Sequence, residues 1–139
     1  MSPRVDPPTY VADDELLARF IRYERFIKAD GTVRLDAFMP DSRDVQPGLS
    51  VTRHLDLSEE ELWRNGRQVV SQSASKLVGR ADFKALVARR LRLDLVSVPE
   101  PENAYHAEVR GWPPDKHERK DLAEDIAESA RFKRNPYPI

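Results

Sequence analysis

Three histidines, His54, His106 and His117, are the side chains of this sequence whose ordinary pKa lies near neutrality, so proton-transfer chemistry would start with them. His117 sits in the charged run DKHERK and reads as solvated. His54 and His106 each lie in or just after a stretch that alternates like a strand, on the side opposite the aliphatic residues. Each also has an arginine close in sequence, Arg53 and Arg110. Were the two stretches neighbours, His54 and His106 would converge with Glu108, Arg110 and Ser50 or Thr52. Such a set could cleave a phosphodiester, one imidazole taking a proton, the other giving one, and an arginine stabilising the developing charge. No motif fixes that geometry, and the plainer reading, histidines on a polar face or capping turns, is preferred.

Other chemistries find less support. The chain has no cysteine, which removes disulfides, thiol nucleophiles and thiolate metal sites. It also lacks HExxH spacing, a phosphate-cradling glycine loop and a G-x-S-x-G elbow, so neither a metal nor an organic cofactor is expected. Lys76 to Arg92 is locally basic, with Arg80, Lys84, Arg89, Arg90 and Arg92 against the lone Asp82. On one helix these residues could contact nucleic-acid phosphates. The preferred alternative pairs them with Glu124, Asp125 and Glu128 as an ordinary charged surface. Trp63 and Trp112 read as packing residues.

Two strand-like runs surround a Pro/Asn turn at the centre of this pattern. Leu93, Leu95, Val96 and Val98 end at Pro99, and from Tyr105 to Trp112 the chain alternates Tyr105, Ala107, Val109 against His106, Glu108, Arg110. A third short strand is expected from Leu49 to His54, after Pro47-Gly48. Ser58 and Glu61 form a capping box that opens a helix, which Asn65-Gly66 interrupts. Phe83, Leu86, Val87 and Leu91 predict a helix over 81–91, following a small polar connection. Asp115 starts the clearest helix, whose apolar stripe is Leu122, Ile126 and Ala130. Near the start, Leu16, Phe20, Tyr23 and Ile27 favour a helix over 14–27; the competing reading is a strand through Ala18 to Tyr23 and a turn at Asp30-Gly31.

At 139 residues the chain fits one domain, placed at 12–132, with a flexible arm over 1–11 and a flexible tail over 133–139. Strands separated by helices predict an α+β fold, a mixed or antiparallel sheet of three to five strands under two to four helices. A net charge of -1 gives no global attraction to nucleic acid or anionic membrane. Without an apolar leader or a membrane-length run, the expected location is the cytoplasm.

The segments Gly48-Leu49-Ser50-Val51 and Pro99-x-Pro101-x-Asn103-x-x-His106-Ala107-x-Val109-x-Gly111-Trp112-Pro113 resemble a group of short bacterial proteins to which no activity is attached. The resemblance spans about residues 16 to 115 and implies no functional residue. In that group the early segment resembles a strand and a proline-containing loop. The absent catalytic and cofactor motifs, the mixed surface charge and the proline-rich ends, which could order on a partner, make the expected function binding to another bacterial protein, as an accessory, immunity or regulatory partner. Histidine-pair hydrolysis of a phosphodiester and nucleic-acid backbone binding are the alternatives.

Overall fold

The computed structural model describes residues 4–41, 47–71 and 76–137. Residues 1–3 of the expected arm, 72–75 of the polar connection and 138–139 of the expected tail lie outside them. The described chain is an α+β protein. Its strands are β1 (Leu16–Ile21), β2 (Leu49–Arg53), β3 (Gly79–Lys84), β4 (Asp94–Ser97), β5 (His106–Arg110) and β6 (Arg131–Arg134). Helices α1 (Glu59–Ser71), α2 (Ala85–Arg90) and α3 (Lys116–Ser129) join them, and Leu35–Phe38 forms a 3-10 turn. The strands make one sheet in the order β4-β5-β2-β1-β3-β6, antiparallel at every neighbouring pair. Six strands exceed the expected three to five.

The preferred helix over 14–27 is replaced by β1 and a short 3-10 turn at Glu24–Phe26. β1 lies inside the sheet, and it is also covered on both faces, by the main core on one and by α1 on the other. Leu17 and Ile21 enter the main core, while Ala18 and Phe20 enter a second cluster under α1. Burial on both faces places apolar residues at 17, 18, 20 and 21, with exposed Leu16 before them, a spacing that imitates a helix. The expected Asp30-Gly31 turn is present: Gly31 has φ +86, and Ile27 bridges Val33 across it.

β3 and β6 carry weak strand signals for different reasons. β3 holds Arg80 and Asp82 on one face, where polar residues argue against an interior strand. β6 has Arg131, Lys133 and Arg134 exposed with only Phe132 packed inward, which suits an edge that must not recruit another strand. Residues 133 and 134, expected in the tail, pair with Arg80 and Gly79. The helix expected over 81–91 shortens to α2 because residues 79–84 are strand.

One face of the sheet packs under α2 and α3 through Leu17, Leu49, Val51, Phe83, Val109, Trp112 and Ile126. Each such buried side chain contributes about 1.5–3 kcal/mol. α1 covers only part of the other face, through Trp63 and Val70 with Phe20, Ala18 and Leu77. Its capping box forms as expected, Glu61 N–H donating to Ser58 Oγ and Ser58 N–H to Glu61 Oε1, both at 3.1 Å. The helix runs straight through Asn65-Gly66, because the missing side chain at Gly66 lets it approach the Phe20 ring: a Cβ there would lie 2.7 Å from that ring. Over β2 and β5 this face meets α1 only at its edge, through Asn65 and Val69, and a cleft opens there.

Candidate functional site

The β2–β5 register places Ser50 opposite Glu108, Val51 opposite Ala107 and Thr52 opposite His106. Leu49, Val51, Ala107 and Val109 point into the main core. Ser50, Thr52, His106 and Glu108 therefore share the opposite, partly open face. The same period of two sends Arg53 the other way. It pairs with Leu17 and is fully buried beside the aliphatic residues, not beside His54.

The two imidazoles share this face but turn apart. His54 Nε2 lies 3.0 Å from Asp82 Oδ1, reaching across β1 to β3. His106 is only 7 % exposed, and its Nδ1 donates to the Val98 carbonyl at 2.9 Å, towards β4. They line different cavities: His106 a cleft of about 320 Å³ with Ser50, Asn103 and Glu108, His54 a groove of about 840 Å³ with Leu16, Leu55 and Tyr105. Arg110 is held by Glu108 at 2.9 Å at the far end of β5.

Asp82, the partner of His54, is itself fixed from behind. Buried Arg80 donates from Nε to both Asp82 oxygens and from Nη2 to Glu59 Oε1 at 2.7 Å, and its guanidinium sits 4.6 Å from the Trp63 ring centre. The Arg80 hydrogen bond holds Glu59 well below the usual carboxylate range, at about 2. Arg80 is thus an interior ion-pair member and not a surface cation. Lys84 and Arg90 are exposed, Arg92 follows α2 in a left-handed turn with φ +64, and Arg89 bonds Asp13 at 2.6 Å. These residues do not lie along one helix. Their ion pairs among the described residues are with Asp13, Glu59 and Asp82 and not with carboxylates of α3.

A second buried arginine builds the groove wall. Arg53 donates from Nε and Nη2 to the two Glu15 carboxylate oxygens at 2.7 and 2.9 Å, and its remaining N–H groups reach the carbonyls of Pro8 and Tyr10 and Ser97 Oγ. Burial opposes the Glu15 charge. The Arg53 and Ala12 hydrogen bonds and the positive charge of Arg53 and Arg89 nonetheless hold its pKa below the ordinary value. Residues 5–8 are thereby laid along the groove, facing His54, Leu55 and Asp56. Leu55 adopts φ +43, a left-handed conformation a branched side chain resists. Burial, with the charge of Asp56 and a hydrogen bond to it, raises the Tyr105 pKa, so its hydroxyl remains a donor.

Sequence reading missed Asn65 and Asn103, which tie α1 to the turn before β5. Asn65 Nδ2 donates to Asn103 Oδ1 at 2.8 Å and Asn103 Nδ2 to Thr52 Oγ1 at 3.0 Å. The PxPxN segment was visible, but nothing local marked its asparagine as buried. Arg19 was missed for the same reason. Among the described residues no cluster of His, Asp and Glu is placed to hold a metal ion, and no helix is long and apolar enough to cross a membrane. Comparison of the chain with protein-family models, curated proteins and solved structures found no match.

Proposed function

We propose that the protein acts by binding another protein, as an accessory, immunity or regulatory partner in the bacterial cytoplasm, through the groove beside His54. One observation carries this reading. Of the six large apolar side chains exposed among the described residues, three, Val5, Leu16 and Leu55, line that single groove, at 85, 41 and 39 % exposure. Clustered apolar exposure of this kind marks interaction surfaces. Asp6, Asp14 and Asp56 rim the groove, so its complement is a partner segment combining aliphatic and basic residues. The divergence of the two imidazoles adds support, since the histidine pair needed for phosphodiester cleavage does not face one substrate. The bacterial and cytoplasmic setting rests on the resemblance of the GLSV and HAEVRGWP segments and on the absence of cysteine.

Affinity capture from the source cell with three baits tests it: wild type, Leu16→Asp with Leu55→Asp, and Tyr137→Ser as an exposed control outside the groove. A protein held by the wild type and the control but lost from the groove variant is the expected result. Equal capture by all three would overturn the reading. So would a phosphodiesterase activity abolished by His54→Ala or His106→Ala.

A further inference from the structure

The sheet ends on two strands of opposite character, β6 and β4. β6 is guarded: Arg131, Lys133 and Arg134 stand exposed along it, and a copy of the same strand brought alongside would meet them charge against charge. β4 begins with Asp94 and then runs uncharged through Leu95, Val96, Ser97 and Val98 to Pro99. All four of those uncharged residues are partly exposed.

Two hydrogen bonds fix which way the β4 backbone points. Val98 N–H donates to the His106 carbonyl at 2.9 Å, and on the other side of β5 Arg53 N–H donates to the Tyr105 carbonyl at 2.9 Å. By antiparallel alternation His106, Glu108 and Arg110 turn their backbone groups towards β4, where Val98, Val96 and Asp94 meet them. The N–H and C=O groups of Leu95 and Ser97 therefore point away from the sheet, and they have no partner among the described residues.

This edge is complementary to itself. Laid antiparallel against a second β4 with Val96 on the two-fold axis, Leu95 comes opposite Ser97 of the second copy, and every outward N–H meets a C=O. Pro99, which has no N–H, stops the ladder at both ends. The same register brings the turn that carries exposed Arg92 level with Glu100 of the second copy, twice by symmetry. Arg92 makes no ion pair among the described residues, and the Glu100 carboxylate has only His106 Nδ1 at 3.6 Å. Opposite charges at the two ends of one strand are what a copy related by a two-fold axis requires, whereas a foreign strand gains nothing from that symmetry. Centring the pair on Ser97 instead would set Asp94 against Glu100 of the second copy, a like-charge contact.

We infer that the β4 edge pairs with β4 of a second copy of this chain, antiparallel about Val96, so that two sheets join into one. The groove beside His54 is lined by no residue of β4, and partner binding there does not depend on this contact.

Sedimentation velocity of the full chain from about 5 µM to about 1 mM measures the association. Amide hydrogen exchange by NMR shows where it occurs. The expected result is a monomer–dimer equilibrium in which the Leu95 and Ser97 amides exchange more slowly as the dimer fills. Val96→Lys sets two ammonium groups across the axis while facing Glu108 within its own chain, and it should weaken the dimer at least about tenfold. Arg92→Glu and Glu100→Arg should each weaken it, and the two together should restore it. Lys133→Ser on β6 should leave it unchanged. A monomer at every concentration, or a dimer that Val96→Lys leaves intact, would overturn the inference. So would a charge-swapped double variant no tighter than the singles, or a dimer lost in Lys133→Ser.

Discussion

Replacing Arg53 with methionine separates the scaffold from the groove it supports. The wild-type guanidinium is fully buried, and it neutralises a Glu15 carboxylate whose side chain is 9 % exposed, at 2.7 and 2.9 Å. Methionine fills similar volume but leaves that carboxylate with only the Ala12 N–H and the unbonded charge of Arg89, and removing one member of a buried pair costs about 3–5 kcal/mol. The carbonyls of Pro8 and Tyr10 also lose their donor, but both residues are exposed and water can replace it. In a chain of this size each kcal/mol moves the melting temperature by about 3 °C, so Arg53→Met should melt about 10–15 °C lower. Removing both charges, in Arg53→Met with Glu15→Met, should cost clearly less than the two single changes added together, because the stranded charge disappears with its partner. Urea unfolding followed by circular dichroism measures the four corners of this cycle. Limited proteolysis reports the local effect, faster cleavage within residues 4–12 as the groove wall detaches. Additive single costs, or a loss under about 1 kcal/mol for Arg53→Met, would show that the pair does not hold the segment in the way described.

Gly66→Ala should destabilise by about 1–3 kcal/mol in urea unfolding, although alanine is the better helix former, because its Cβ would sit 2.7 Å from the Phe20 ring; a stabilised variant would refute the close packing of α1. Leu55→Gly should raise stability by about 0.5–1 kcal/mol by relieving the left-handed backbone at φ +43, while weakening partner capture; lower stability with capture unchanged would count against both parts. On the acid side, Glu59 titrates at about 2 in the fold against an ordinary 4.5. Its contribution is complete above about pH 4.5 and is lost as the pH falls towards about 2. Glu15, also depressed, acts in the same direction. Glu59→Gln should therefore flatten the fall in urea midpoint below pH 4.5, and an unchanged acid slope would refute the Arg80 pairing.

The alternation of LSVTR and HAEVR, taken without coordinates, determined which side chains lie on the core side and which on the polar side, because a strand's period of two depends only on local backbone geometry. The capping box of α1 and the Asp115 cap of α3 were legible for the same reason, each being closed by residues no more than three apart. Tertiary structure decided the rest. β1 looked helical because a strand covered on both sides loses its alternation, and β6 was unreadable because its pairing is carried by backbone groups under exposed basic side chains. Whether two histidines on one face converge depends on the partners their rings find. Those partners, Asp82 of β3 for His54 and the carbonyl of Val98, just after β4, for His106, lie on opposite sides of the β2–β5 pair. Arg19, Arg53 and Arg80 resemble surface charges in the sequence, and only the packed sheet, by surrounding them with carboxylates and carbonyls, makes them interior groups that shape the cavities.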